Sequence, residues 1–124
     1  MTQETGPDPR HTLDRLYRIV ADRKGGDPET SYTARLYDRG VPKIAQKVGE
    51  EAVETVIEAV RLAGGGAAGD RQALVEESAD LLYHLTVLWA ALDLEAAEVW
   101  EALDRRHGTS GFDAKKAKKR AGGG

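Results

Sequence analysis

The chain has 124 residues, 18 lysines and arginines against 21 aspartates and glutamates, a formal charge of −3, and no cysteine. That length suits one domain with a single core, small enough for partner subunits to add to its burial, and the acidic balance speaks against a mainly nucleic-acid-binding protein. The lack of cysteine excludes disulfides, thiolate metal sites and thiol nucleophiles, and a polar N-terminus without a signal-peptide core or any apolar run of membrane-spanning length predicts a soluble, cytoplasmic protein that binds no membrane.

Residues 1–9, with Pro7 and Pro9, read as a disordered lead. Leu13, Leu16, Tyr17 and Val20 then recur at helical spacing and predict a first helix that stops at Lys24-Gly25-Gly26. Asp27 to Gly40 mixes Pro, Ser, Thr and Gly with the apolar Tyr32, Leu36 and Tyr37, the pattern of a loop with a short helix packed back on the domain. Pro42 suits the first turn of a long second helix, which runs to about Ala63 before Gly64-Gly65-Gly66 ends it. Asp70 is the expected N-cap of a third helix that continues through Trp89 to about Leu92, and Asp93 or Leu94 opens a fourth through about Arg106. No segment alternates with period two. The expectation is an all-α, four-to-five-helix bundle over residues 10–112, completed by oligomerisation as a homodimer or higher homo-oligomer. A basic, glycine-ended tail, 113–124, follows it.

Two acidic clusters stand out, Glu50-Glu51-x-x-Glu54 on the second helix and Glu77-x-x-Asp80 on the third. Residues three apart on a helix differ by about 60° in direction and lie about one turn apart, so each cluster forms an acidic facet. Two facets turned toward each other make a cage of hard oxygen ligands, Glu51, Glu54, Glu77 and Asp80, suited to Mg²⁺ or Mn²⁺. A solvated acidic stripe is the alternative for the second helix taken alone, whose apolar arc of Val48, Ala52, Val56, Ala59, Val60 and Ala63 faces elsewhere. The third helix argues for the cage. It is apolar nearly all round from Leu81 onward, hence expected to be buried on most sides, and Glu77 and Asp80 project in line with Leu81, His84 and Leu88, so these carboxylates need compensation.

Lys43 and Lys47 precede Glu51 by two turns and one turn on the same side of the second helix. They are candidate phosphate partners beside the cage. The competing reading is a surface ion pair between Lys47 and Glu51. Ser31, Tyr32, Thr33 and Arg35 are polar groups in the loop before the short helix, where capping and substrate contact both stay open. His84, amid apolar neighbours, reads as a core histidine hydrogen-bonded to a neighbour. His107, followed by Gly108-Thr109-Ser110-Gly111, reads equally as a helix end or as an approach of backbone amides to an anion.

Ser31-Tyr32-Thr33, Lys43-Ile44-Ala45-Gln46-Lys47-Val48-Gly49-Glu50-Glu51-Ala52-x-Glu54, Glu77-Ser78-Ala79-Asp80-Leu81-Leu82-Tyr83-His84 and Gly108-Thr109-Ser110-Gly111 together resemble the phosphoribosyl-ATP pyrophosphatases of histidine biosynthesis. The paired acidic motif alone is shared with the wider all-α nucleotide pyrophosphohydrolases, the MazG-like and dimeric dUTPase-like enzymes, so it specifies chemistry more than substrate. The resemblance implies an all-α NTP-pyrophosphohydrolase bundle that hydrolyses the α–β phosphoanhydride of phosphoribosyl-ATP, an ATP-like nucleotide, with Mg²⁺. It carries the metal ligands onto Glu51, Glu54, Glu77 and Asp80, leaves Glu50 to orient water or support those ligands, and makes Glu50, Glu51 and Glu54 the candidate catalytic carboxylates. Lys43, Lys47, Ser31, Thr33 and Arg35 become candidate substrate contacts. A house-cleaning dNTP pyrophosphohydrolase and a non-catalytic helical dimerisation or metal-binding module are the alternatives.

Overall fold

In the computed structural model, residues 9–66 and 68–108 are described. They form five helices, α1 (Pro9–Asp22), α2 (Tyr32–Arg39), α3 (Val41–Ala63), α4 (Ala68–Ala91) and α5 (Ala96–Gly108), with no strand among them. The all-α expectation holds. The tail 113–124 and all but the last residue of the 1–9 lead lie outside the described residues, while Pro9 itself opens α1 four residues ahead of the first apolar position.

Local chemistry sets most boundaries. Ser31 is extended and its hydroxyl accepts the backbone N–H of Ala34, an N-cap for α2. Gly40 alone separates α2 from α3, and its φ of 95° is a conformation that side chains with a Cβ rarely adopt. Because the chain turns on one residue, the end of α2 and the start of α3 form a corner. Pro42 sits in the first turn of α3, where its missing N–H costs nothing. Asp70 is not an N-cap: α4 begins at Ala68, so this aspartate lies in the first turn and favours the positive end of the helix there. The last helix also starts later than expected, at Ala96, because Asp93 adopts a φ of 61° and breaks the chain first.

Residues up to Leu94 form one compact unit and those from Glu95 another. In the first unit α3 and α4 are an antiparallel hairpin, with α1 packed on α4 and α2 resting against both. The core gathers Tyr17 and Val20 of α1, Ala34 and Leu36 of α2, Ile44 of α3, and Val87 and Ala90 of α4. Hydrogen bonds lock this end of the hairpin. Lys24 Nζ donates to the carbonyl of Ala90 at 2.8 Å and pairs with Asp93 at 2.8 Å, and the hydroxyls of Tyr17 and Tyr37 donate to the carbonyls of Leu94 and Val20, each at 2.7 Å. Burial, then the neighbouring Tyr17 and Tyr83, pushes the Tyr37 phenol up to about 12.

The other half of the hairpin differs from the sequence expectation. On α3, Val56 and Val60 are 60% and 66% exposed, Val53 and Ile57 are exposed with them, and Glu51 and Glu58 are half-buried toward the hairpin. Val53, Val56, Ile57 and Val60 thus face away from α4, while Glu51 and Glu58 turn toward it and Glu50 and Glu54 stay exposed. From Leu81 to Ala91, α4 is buried or half-buried on most sides as expected, with Leu82 the exposed exception, while Val75 on its earlier half is exposed.

Candidate active site

The hairpin brings together Glu51 from α3 and Glu77 and Asp80 from α4. One carboxylate oxygen from each lies within 4.8 Å of the others. Glu51 and Glu77 are half-buried and Asp80 is exposed, so the cluster sits at the edge of the hairpin rather than in the interior stripe that the projection along α4 suggested. The Glu77 carboxyl is raised above the usual carboxylate range. A hydrogen bond with Glu51 is the largest cause, followed by partial burial and by the charges of Glu51, Asp80 and Glu58. A divalent cation relieves this repulsion, so three hard oxygen donors in this arrangement fit Mg²⁺ or Mn²⁺.

The other predicted carboxylates are placed differently. Glu54 is exposed and stands outside the three-residue cluster. Glu50 turns away to accept a hydrogen bond from Gln46 Nε2 at 2.7 Å and to pair with Lys47 at 3.3 Å, and these two contacts, Gln46 first, hold its carboxyl below the usual range. The pairing expected for Lys47 was with Glu51; the observed partner is Glu50, one residue nearer on the helix, whose hydrogen bond is also the main cause that raises the Lys47 ammonium.

A pocket of about 220 Å³ is lined by Tyr32, Arg35, Leu36, Arg39, Lys43 and Lys47. It occupies the corner that Gly40 creates between α2 and α3. Lys43, Lys47 and Arg35 were expected near phosphate, and the pocket gathers all three. Tyr32, for which capping and substrate contact both stayed open, lines it as well; Arg39 was missed, although the signal was present: Arg35 with Arg39, and Lys43 with Lys47, are two basic pairs at four-residue spacing on either side of Gly40.

Ser31 and Thr33 do not line it. Ser31 is the α2 cap, and Thr33, 9% exposed, lies inside α2 with its hydroxyl engaged by that of Tyr83, so the loop placement of Thr33 and Arg35 is corrected to helix. Arg35 donates to the carbonyl of Pro28 at 2.8 Å and its guanidinium lies 5.6 Å from the centre of the Tyr32 ring. His84 is a satisfied core histidine as expected, 5% exposed, with Nδ1 2.8 Å from the carbonyl oxygen of Asp80 and Nε2 3.0 Å from the Tyr32 hydroxyl. The loop from Thr109 to Gly111 lies outside the described residues.

A helical hairpin that carries three converging carboxylates, with a pocket lined by four cationic side chains at its α2–α3 corner, defines a class of all-α domain. The family model for phosphoribosyl-ATP pyrophosphohydrolase matches residues 13–107 of this chain. A phosphoribosyl-ATP pyrophosphatase of Azospirillum brasilense is 65% identical over 107 residues, 86% of this chain and 90% of the relative. That of Paramagnetospirillum magneticum is 55% identical over 106 residues, covering 86% and 91%, and that of Paracoccus denitrificans 50% identical over 115 residues, covering 93% and 99%. The chain belongs to the phosphoribosyl-ATP pyrophosphohydrolase family, a family of enzymes. No helix among its described residues is long and apolar enough to cross a membrane.

Proposed function

We propose that the protein hydrolyses phosphoribosyl-ATP at the α–β phosphoanhydride, giving phosphoribosyl-AMP and pyrophosphate in the second step of histidine biosynthesis in the cytoplasm. Water adds across the anhydride: its oxygen joins one phosphorus, the bridging oxygen leaves with the other, and the proton is released. The observation that carries this reading is the convergence of Glu51, Glu77 and Asp80 within 4.8 Å, with Glu51 on the same helix as Lys43 and Lys47 of the cationic pocket. Family membership supports the substrate, because the named relatives are phosphoribosyl-ATP pyrophosphatases. It also favours this reading over a dNTP pyrophosphohydrolase or a non-catalytic module.

Glu51, Glu77 and Asp80 would hold Mg²⁺, or Mn²⁺ in its place, with Glu54 one turn along α3 from Glu51 as a further carboxylate. A cation bound there supplies charge neutralisation of the triphosphate and lowers the pKa of bound water. The chain's own groups do the rest. Lys47 reaches toward the phosphates from one turn before Glu51 and stabilises negative charge on the departing pyrophosphate. Glu50 holds that ammonium at the mouth of the pocket through the 3.3 Å ion pair. Lys43 and Arg35 add positive charge behind it. The exposed stripe Val53, Val56, Ile57 and Val60 supports a homodimer that covers it.

A panel of phosphoribosyl-ATP, ATP and dNTPs, with released pyrophosphate measured with and without Mg²⁺, tests the proposal. Mg²⁺-dependent release from phosphoribosyl-ATP well above the others is expected. Preferential release from a dNTP would replace it with the alternative reading.

A further inference from the structure

The pocket at the α2–α3 corner holds more positive charge than the protein itself neutralises. Lys47 has Glu50. Arg35 is satisfied by neutral groups, the Pro28 carbonyl and the Tyr32 ring. Arg39 and Lys43 have no carboxylate at ion-pair distance among the described residues. Lys43 also lies in the first turn of α3, a helix of 23 residues whose positive dipole end adds to the field at that spot.

Distance along α3 separates the two ends of this pocket. Lys47 lies four residues before Glu51 and Lys43 eight, about 6 Å and 12 Å along the axis at the rise of an α-helix. A triphosphate whose α–β bond is held at the carboxylate cluster meets Lys47 first. The Arg39 and Lys43 end is farther off and calls for a separate anion. The volume, about 220 Å³, is smaller than the roughly 300–1,000 Å³ of pockets that enclose whole drug-sized ligands. It suits a charged end group and leaves the base outside. Arginine offers a planar fork of donors matched to a terminal phosphate, which a purine ring lacks the charge to use.

Phosphoribosyl-ATP is a nucleoside triphosphate that carries a second, phosphorylated ribose, so it has an anion at each end. We infer that the Arg35, Arg39 and Lys43 end of the pocket binds the phosphomonoester of this second ribose, and that Arg39 is a specificity-determining residue that separates a two-ended nucleotide from an ordinary nucleoside triphosphate. The inference deepens the proposed function and rests on it. Catalysis at the cluster and recognition at the corner are then joined by one substrate lying along α3, with Lys47 between them.

The two products divide the pocket experimentally, because phosphoribosyl-AMP keeps the second phosphate and pyrophosphate lacks it. Arg39 is exposed in the last turn of α2, so Arg39→Gln is expected to fold, and a circular dichroism melt checks this. Inhibition by each product is measured in wild type, Arg39→Gln and Lys43→Gln, along with kcat/KM for phosphoribosyl-ATP and ATP. Arg39→Gln is expected to weaken phosphoribosyl-AMP on the order of tenfold to a hundredfold, the scale of one lost charged contact, with pyrophosphate inhibition and ATP turnover unchanged, and Lys43→Gln is expected to weaken phosphoribosyl-AMP more than pyrophosphate. Loss of pyrophosphate inhibition with phosphoribosyl-AMP unaffected would assign the pocket to the leaving group and overturn the inference, as would no change in either or equal loss of both. Wild-type protein that releases no pyrophosphate from phosphoribosyl-ATP would instead remove the underlying function and the inference with it.

Discussion

The Tyr32 hydroxyl meets Nε2 of His84 at 3.0 Å, and through that ring it is tied to the α4 backbone at Asp80, a residue of the carboxylate cluster. The Asp80 carbonyl can only accept, so Nδ1 of the neutral ring carries the proton and Nε2 accepts from Tyr32. One wall of the cationic pocket is thereby fixed to the helix that bears Glu77 and Asp80. Tyr32→Phe removes the donor and leaves a nearly buried ring nitrogen unpaired, which should cost about 1–2 kcal/mol of stability. Thermal melts and kinetics check it: a lowered Tm with KM for phosphoribosyl-ATP raised severalfold is expected, and unchanged values of both would detach Tyr32 from the site.

Glu51→Gln and Asp80→Asn keep side-chain size and remove a charge from the cluster. Turnover should nearly vanish while helicity stays intact, because each variant lacks a carboxylate needed to hold the cation. Stability of the metal-free protein should be unchanged or higher, since repulsion among Glu51, Glu77 and Asp80 is relieved. Parallel loss of activity and of the circular dichroism signal would assign these residues to the fold instead.

Glu77 predicts a pH signature. Its carboxyl is raised in the folded protein, chiefly by the hydrogen bond with Glu51, so the native state binds a proton more tightly than the unfolded chain. The sign follows from linkage: this contribution is fully present below the ordinary glutamate range and is lost as pH rises through the raised folded value. Metal-free wild type should therefore lose stability relative to Glu77→Gln across that window, in Tm measured at stepped pH. Added Mg²⁺ should reduce the loss in wild type. Glu50 runs the other way, with a lowered carboxyl, which is why the difference between the two proteins is the quantity to follow.

The helical class and the α3–α4 hairpin were legible because periodicity at 3.6 residues and the Gly64–Gly66 interruption are local signals. The acidic facets of Glu51 and of Glu77 with Asp80 were legible for the same reason, whereas their convergence, without Glu54, depends on how α3 packs on α4. What the apolar arc of α3 faces was not. Periodicity says that Val56 and Val60 share a side, and nothing in it says whether that side meets α4 or a second chain. Arg39 was missed because the pocket exists only through the turn at Gly40, a tertiary relation between two helices. Thr33 became a candidate substrate contact only through the family resemblance; as an α2 residue it is buried against Tyr83.

The exposed stripe of α3 carries the fourth prediction. Val53, Val56, Ile57 and Val60 present contiguous apolar surface on a helix whose opposite side is already used. Sedimentation at micromolar concentration should show a homodimer. Val56→Asp with Val60→Asp should dissociate it, because two carboxylates in a closed apolar interface have no partner. A monomeric wild type, or a double variant that stays dimeric, would move the contact elsewhere.

Lys47 separates two roles for one ammonium. Its ion pair with Glu50 leaves it at the mouth of the pocket, one turn before Glu51, where it faces either solvent or phosphate. If it meets the phosphate chain as charge builds on the departing pyrophosphate, Lys47→Ala should lower kcat and kcat/KM together, on the order of tenfold to a thousandfold. A contact made equally to bound substrate would mostly raise KM. Glu50→Gln adds a control, since it frees Lys47 from its partner without removing the charge, and should lower activity far less than Lys47→Ala. Steady-state kinetics with phosphoribosyl-ATP at saturating Mg²⁺ decide between these outcomes, and wild-type constants in Lys47→Ala would reduce this residue to a surface pair.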